Sequence, residues 1–216
     1  MTRFRHAAAG LLVPAAVLAV GLMFAHHPMI VSGLDRVQAE PVDPRLINYI
    51  LEHSYRWLSG APCHKSLSDP PIYYPTPNVL AFSDTLLTVA PLYWPWRAAG
   101  LAADTSYQLW LLGLSALNFL AAYLALRRCL GLGELGSAAG AFLFAFSAPR
   151  VSQVVHPQLY TQFYTVLMLG SLWLAFNRRD DPAWRRGLYW LGAFLGLAAQ
   201  AYAAVYLAWF LALGGA

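Results

Sequence analysis

Residues 106–126 read SYQLWLLGLSALNFLAAYLAL, an apolar run that carries no acidic or basic side chain. An α-helix of about 20 such residues crosses the ~30 Å hydrocarbon core of a bilayer, and a helix is the one single-segment structure that satisfies its own backbone polar groups there. The run therefore predicts a transmembrane helix. Residues 7–25, 135–155, 159–176 and 188–213 are apolar runs of similar length, with Arg150 the one charged residue among them, so the expected fold is all-α, a polytopic membrane helix bundle of about five spans. It forms a single membrane domain over residues 1–216, with the first span at 7–25, a long outer loop at 34–104 and four further spans within 106–215. A secretory signal peptide would also begin as residues 7–25 do. Its apolar core would usually be only ~7–15 residues long, however, and Phe24-Ala25-His26 lacks the small residues of a cleavage site. A retained first span is the expectation.

Composition agrees, with 59% hydrophobic and only 11% charged residues. The formal charge of +4 arises from 14 Lys and Arg against 10 acids. The bases stand in pairs at the ends of apolar runs: Arg3 and Arg5, Arg127 and Arg128, Arg178 and Arg179, Arg185 and Arg186. That is a topology signal and not a nucleic-acid-binding face. All four pairs reach the cytoplasmic side only if residues 79–96 do not cross. This places the N-terminus in the cytoplasm and the chain, as a multi-pass protein, in the inner (plasma) membrane. Cys63 and Cys129 then fall on opposite sides, which excludes a disulfide between them.

The outer loop gathers most of the acids: Asp35, Glu40, Asp43, Glu52, Asp69 and Asp84 lie within residues 34–97, and Asp104 follows. Asp43-Pro44 is a helix start, since Asp accepts orphan backbone N–H groups and Pro at the first helical position loses nothing. Leu46, Ile47, Ile50, Leu51, Ser54, Trp57 and Leu58 then share one face. Arg45, Asn48, Glu52 and Arg56 share the other, with Glu52 and Arg56 spaced as an i,i+4 pair. An amphipathic helix on the membrane surface is expected. Gly60-Ala61-Pro62 ends it, and Pro70, Pro71, Pro75 and Pro77 around Tyr73 and Tyr74 impose extended backbone. Residues 79–96 contain Asp84, Pro91 and Pro95 and end in Tyr93-Trp94-Pro95-Trp96, which fits an interfacial or half-inserted helix. Gly136 with Gly140, and Gly192 with Gly196, have the small-xxx-small spacing of close helix packing in lipid; toleration of glycine is the simpler alternative.

Four residues carry the chemical candidates. Asp43 can act as a general base or metal ligand, or can simply cap its helix. Asp84 can cap as well, but an ionisable group inside an apolar run suggests function. His156 can shuttle protons or bind a metal, and Arg150 can grip a phosphate in bidentate fashion; an interfacial histidine and a snorkelling arginine are the alternatives. His26-His27 and Cys63-His64 lack the spacing of a metal site. No phosphate-cradling glycine loop, GxSxG or HExxH is present, so nothing supports a soluble nucleotide-dependent mechanism or those hydrolase chemistries.

Taken together, Asp43-Pro44 with its amphipathic helix, Tyr73-Tyr74-Pro75-Thr76-Pro77-Asn78, Phe82-Ser83-Asp84-Thr85-Leu86-Leu87, and Ser147-Ala148-Pro149-Arg150 with His156 beyond resemble bacterial membrane glycosyltransferases of the GT-C type. The resemblance covers residues 42–176. It implies transfer of a sugar from a polyprenyl-phosphate lipid to an acceptor on the outer face of the membrane, with Asp43 as catalytic base or metal partner. Asp84 and His156 would join Asp43 as catalytic residues, with Arg150, Tyr73 and Tyr74 as substrate contacts and a divalent metal such as Mg or Mn as cofactor. Many members carry two adjacent acids where this chain has Val42 and Pro44 around Asp43. They also have more spans and a C-terminal soluble part, so the chain, ending at Leu213-Gly214-Gly215-Ala216, is expected to be an N-terminal portion. A non-catalytic lipid-handling, transport or assembly module is the alternative function.

Overall fold

The computed structural model describes residues 2–37 and 42–214, with the first ten as backbone only. Glu40 lies outside the described residues. The described residues form helices joined by turns, without a strand: α1 (Thr2–Val31), α2 (Asp43–Leu58), α3 (Trp94–Ala98), α4 (Ala103–Cys129), α5 (Glu134–Phe146), α6 (Ala148–Val151), α7 (Pro157–Tyr160), α8 (Phe163–Asn177), α9 (Ala183–Ala203) and α10 (Val205–Gly214). Among the described residues, three helices are long and apolar enough to cross a membrane: Leu12–Val31, Ala103–Cys129 and Pro157–Asn177. A fourth crossing is reached if Glu134–Phe146 and Ala148–Val155, bent by 41° to each other, count as one span. The apolar helices mark a membrane protein.

Each departure from a straight helix has a local cause or a distant one. The kink of α1 at His26 (φ −123°) comes just before Pro28, whose ring and missing N–H disrupt the preceding turn. The bend between α5 and α6 falls at Ser147, which is extended at ψ 156°, ahead of Pro149. Residues 188–213, expected as one span, are instead split at Ala204 (φ −153°, ψ 107°) into α9 and α10. Residues 79–96 hold no helix of membrane-crossing length. They form 3-10 turns at Val79–Phe82 and Ala90–Leu92 and the short α3.

α4 is the axis of the bundle. Its 27 residues extend for about 40 Å, with Asp104 in the first turn and Arg127 and Arg128 in the last, the charge order that complements a helix dipole. Around its basic half, α1 and α5 pack through Ala25, Phe119, Ala122, Ala138, Ala141, Ala145 and Phe146, where small residues let the helices approach closely. Around its other half, Tyr107, Trp110, Leu111 and Leu114 meet Ile47, Ile50 and Leu51 of α2, Leu86, Val89 and Tyr93 of the following segment, and Tyr160 of α7. Hydrogen bonds from Gln108 to the Leu34 carbonyl (2.8 Å) and from Trp110 to the Val89 carbonyl (3.0 Å) fix the backbone at Leu34 and at Val89 to this end. One end of the bundle is therefore basic, and the other carries the acidic segment.

The buried face of α2 differs in part from the expected one. Ile47, Ile50, Leu51 and Ser54 are buried as the pattern requires, but His53 is buried too, while Trp57 and Leu58 are exposed. α2 docks on protein, and that contact covers its earlier turns and leaves Trp57 and Leu58 of the last turn exposed.

Candidate functional site

Asp43 opens α2, yet its carboxylate makes no capping bond. The first turn is closed instead by the Val42 carbonyl, which accepts from Arg45 N–H (3.1 Å) and Leu46 N–H (3.4 Å). Asp43 Oδ2 accepts a hydrogen bond from His156 Nδ1 at 2.7 Å and one from Gln158 Nε2 at 3.3 Å. His156 sits between the 3-10 turn Ser152–Val155 and α7, held by the buried Val154, Pro157 and Tyr160 on either side. The hydrogen bond from His156 holds the Asp43 carboxyl below its ordinary range, against the upward push of partial burial.

Both partners remain reachable from solvent, the side chains being 36% (Asp43) and 52% (His156) exposed. With Nδ1–H committed to the carboxylate, the lone pair of neutral His156 lies on Nε2, the arrangement that lets an imidazole accept a proton while a carboxylate steadies the resulting charge.

Arg150 uses a different set of partners. Its Nε donates to the Phe144 carbonyl (3.3 Å), its Nη2 donates to Gln162 Oε1, and its guanidinium lies 5.0 Å from the Phe144 ring centroid. Gln162 is in turn anchored by its own N–H on Asn118 Oδ1 (3.1 Å), while Asn118 donates to the Tyr160 carbonyl (2.8 Å). A cavity of about 290 Å³ opens here, lined by Ser147, Arg150, Gln153, Leu159, Gln162 and Leu207 among others. Gln153 Oε1 is buried without a partner.

Asp84 is only 5% exposed, and its Oδ1 accepts the backbone N–H of Val205 (2.7 Å), the first residue of α10. It is a cap, but for a helix far along the chain. Burial pushes its carboxyl upward, partly offset by that backbone bond. Tyr73 and Tyr74 are exposed; Tyr73 borders a small apolar cavity with Leu46, Ile50, Ile72, Val79 and Phe82. Of the six candidates, the structure joins Asp43 to His156 and gives Arg150 and Asp84 separate partners. The Arg150 cavity is lined in part by Leu159 and Gln162, three and six residues after His156 in the chain.

The polar scaffold beneath the site was only partly visible in the sequence. Glu52 does pair with Arg56 (2.8 Å), as the spacing indicates. It also binds Arg97 Nε (2.7 Å) and Nη2 (3.0 Å) and the Tyr93 hydroxyl (2.7 Å), which ties α2 to α3. Burial would raise its pKa, but these donors prevail and hold the carboxyl at about 2. Asn118 and Gln162, which orient Arg150, had one signal in the sequence: an amide inside an apolar run needs a partner.

Asp43 and His156 offer two donors to a cation. Among the described residues no group of three or more His, Cys, Asp or Glu side chains could hold a metal ion. No step below passes through one. No family model, curated protein or solved structure matches the chain.

Proposed function

We propose that the chain is a membrane-embedded glycosyltransferase of the GT-C type, acting on a polyprenyl-phosphate-linked sugar at the non-cytoplasmic face of the plasma membrane. In this reading the chain crosses five times, with the N-terminus and the arginine pairs in the cytoplasm. The observation that carries the proposal is the Asp43–His156 hydrogen bond, which assembles a solvent-reachable proton acceptor at the acidic end of an apolar bundle. The acceptor hydroxyl loses its proton to His156 Nε2 while its oxygen bonds to the anomeric carbon of the sugar. The bond from that carbon to the phosphate oxygen breaks, and polyprenyl phosphate departs with the electron pair. Asp43 keeps the imidazole in the reactive tautomer and pairs with the imidazolium. Arg150 meets the phosphate from a cavity whose protein partners leave part of its fork free. Asp84 has a structural part in this scheme.

The test is release of polyprenyl phosphate from a polyprenyl-phosphate-linked hexose by the full-length protein in proteoliposomes. Asp43→Asn and His156→Gln should each lower turnover by ~100-fold or more. Arg150→Gln should weaken retention of the donor. Undiminished turnover in the first two variants would reject the dyad, and absence of any turnover in the parent protein across sugars would favour a lipid-handling module.

A further inference from the structure

Residues 198–208 read AAQAYAAVYLA, without proline or glycine and rich in the best helix former. Helical propensity predicts that α9 should run straight on into α10. It stops at Ala204 all the same. The cause lies more than a hundred residues upstream, where residues 84–88 supply the hydrogen bonds that an unbroken helix would have made for itself. In a continuous helix the Val205 N–H would donate to Ala201 and the Tyr202 carbonyl would accept from Tyr206. Here the Val205 N–H goes to Asp84 Oδ1 (2.7 Å), and the Tyr202 carbonyl accepts from Leu87 N–H (2.9 Å) and the Thr85 hydroxyl (2.8 Å). The Thr88 hydroxyl adds a bond to the Ala199 carbonyl (2.8 Å), and the Thr88 carbonyl accepts from Tyr164 of α8 (2.9 Å).

We propose that residues 84–88 are a strap that holds α9 and α10 apart at Ala204, and that its withdrawal lets the two helices fuse into one. Two backbone arrangements of the same sequence then satisfy the same polar groups, which is the condition for a switch between discrete states. Across the break, Leu197 and Ala201 of α9 line one groove with Val205, Ala208, Trp209 and Ala212 of α10. Fusion would carry Leu197 and Ala212 to about 22 Å apart along the axis. It would also withdraw Leu207 from the wall of the cavity beside Arg150 and open that cavity toward the lipid. This last consequence rests on the transferase reading; the helix switch itself does not.

The experiment uses the full chain in lipid with Cys63→Ser and Cys129→Ala, and cysteines introduced at Leu197 and Ala212. A short bismaleimide should bridge the pair in this parent. Asp84→Leu, which removes the cap, and the isosteric pair Thr85→Val with Thr88→Val should each lower the bridged fraction at least threefold. Asp84→Asn keeps an oxygen for the Val205 N–H and should bridge as the parent does. Adding Ala204→Gly to the threonine pair should recover bridging, because glycine disfavours the continuous helix by about fivefold relative to alanine. Failure of the parent to bridge, or unchanged bridging in the strap variants, would overturn the proposal. If Asp84→Leu does not fold, the threonine pair decides it alone. None of these readouts depends on transfer activity.

Discussion

Asp43 and His156 are 113 residues apart in sequence and 2.7 Å apart in space. Because both side chains are well exposed, their mutual attraction contributes little to stability, on the order of 1 kcal/mol or less in a double-mutant cycle. Asp43 is also not the cap of its own helix, so Asp43→Asn is expected to leave the thermal midpoint in detergent nearly unchanged. A large loss of stability would mean that the carboxylate has a structural role, and any loss of turnover in that variant could no longer be assigned to proton transfer.

A second histidine contact makes stability depend on pH. His53 Nε2 donates to the Leu67 carbonyl (3.1 Å), which leaves its Nδ1 lone pair to accept from His64 Nδ1–H at 2.7 Å. Protonating His53 would set two N–H groups face to face. Burial lowers the pKa of both rings; Asp69 opposes this at His53, while at His64 the His53 ring and Arg56 add to it and Glu52 opposes it. Folded pKa values below the unfolded one mean that the unfolded chain takes up more protons on acidification. The docking of residues 61–69 on α2 is therefore stable at neutral pH and loses stability as pH falls below about 6.5. The thermal midpoint should drop between about pH 7.5 and about pH 5.5, and the drop should shrink in a His53→Phe/His64→Phe double variant. An equal drop in that variant would place the sensitivity elsewhere.

The glycines separate packing from tolerance. A Cβ on Gly21 would stand 2.2 Å from carbons of the Phe146 ring, which is itself fully buried. On Gly196 it would stand 3.0–3.1 Å from the Cβ, Cα and backbone nitrogen of Met168, atoms that cannot swing away. Gly21→Ala and Gly196→Ala should each destabilise by about 1–3 kcal/mol. On Gly136 the Cβ meets only Leu132 Cβ at 3.9 Å, so Gly136→Ala should be neutral or stabilising through helix propensity. Thermal unfolding of the three variants in one detergent tests the order, and a harmful Gly136→Ala would contradict it.

These particulars show what a sequence can and cannot disclose. That the described residues are helical and apolar enough for a membrane was legible because apolar runs of membrane length have one solution for their backbone, and α2 because its charged and apolar residues alternate at helical spacing. Of the five spans expected, three stand as helices of crossing length and residues 188–213 are split. The exposure of Trp57 was not legible, since periodicity marks a face but not how far a partner covers it. Asp43 and His156 were each identifiable as chemically capable, yet their pairing is a contact between distant segments that no spacing encodes. The break at Ala204 was hidden most completely, because residues 198–208 argue for helix and the competing hydrogen bonds come from residues 84–88.

The two native cysteines can read the topology directly. Cys63 is exposed, shortly after α2 and so at the acidic end of the bundle. Cys129 is the last residue of α4, about 40 Å along that helix from Ala103, and its Sγ lies 3.7 Å from the Gly170 carbonyl on α8. If α4 crosses the membrane, the two thiols must face opposite compartments. In the proposed orientation, Arg127 and Arg128 beside Cys129 stand at the cytoplasmic end. In right-side-out vesicles a membrane-impermeant maleimide should therefore label Cys63 at once and Cys129 only after permeabilisation, with a denatured sample correcting for the partial burial of Cys129. Labelling of both thiols from one side would remove α4 from the set of spans and dissolve the bundle axis. Labelling of Cys129 alone from outside would keep the span but reverse the chain, placing the Asp43–His156 pair in the cytoplasm, where a lipid-linked donor on the outer leaflet could not reach it.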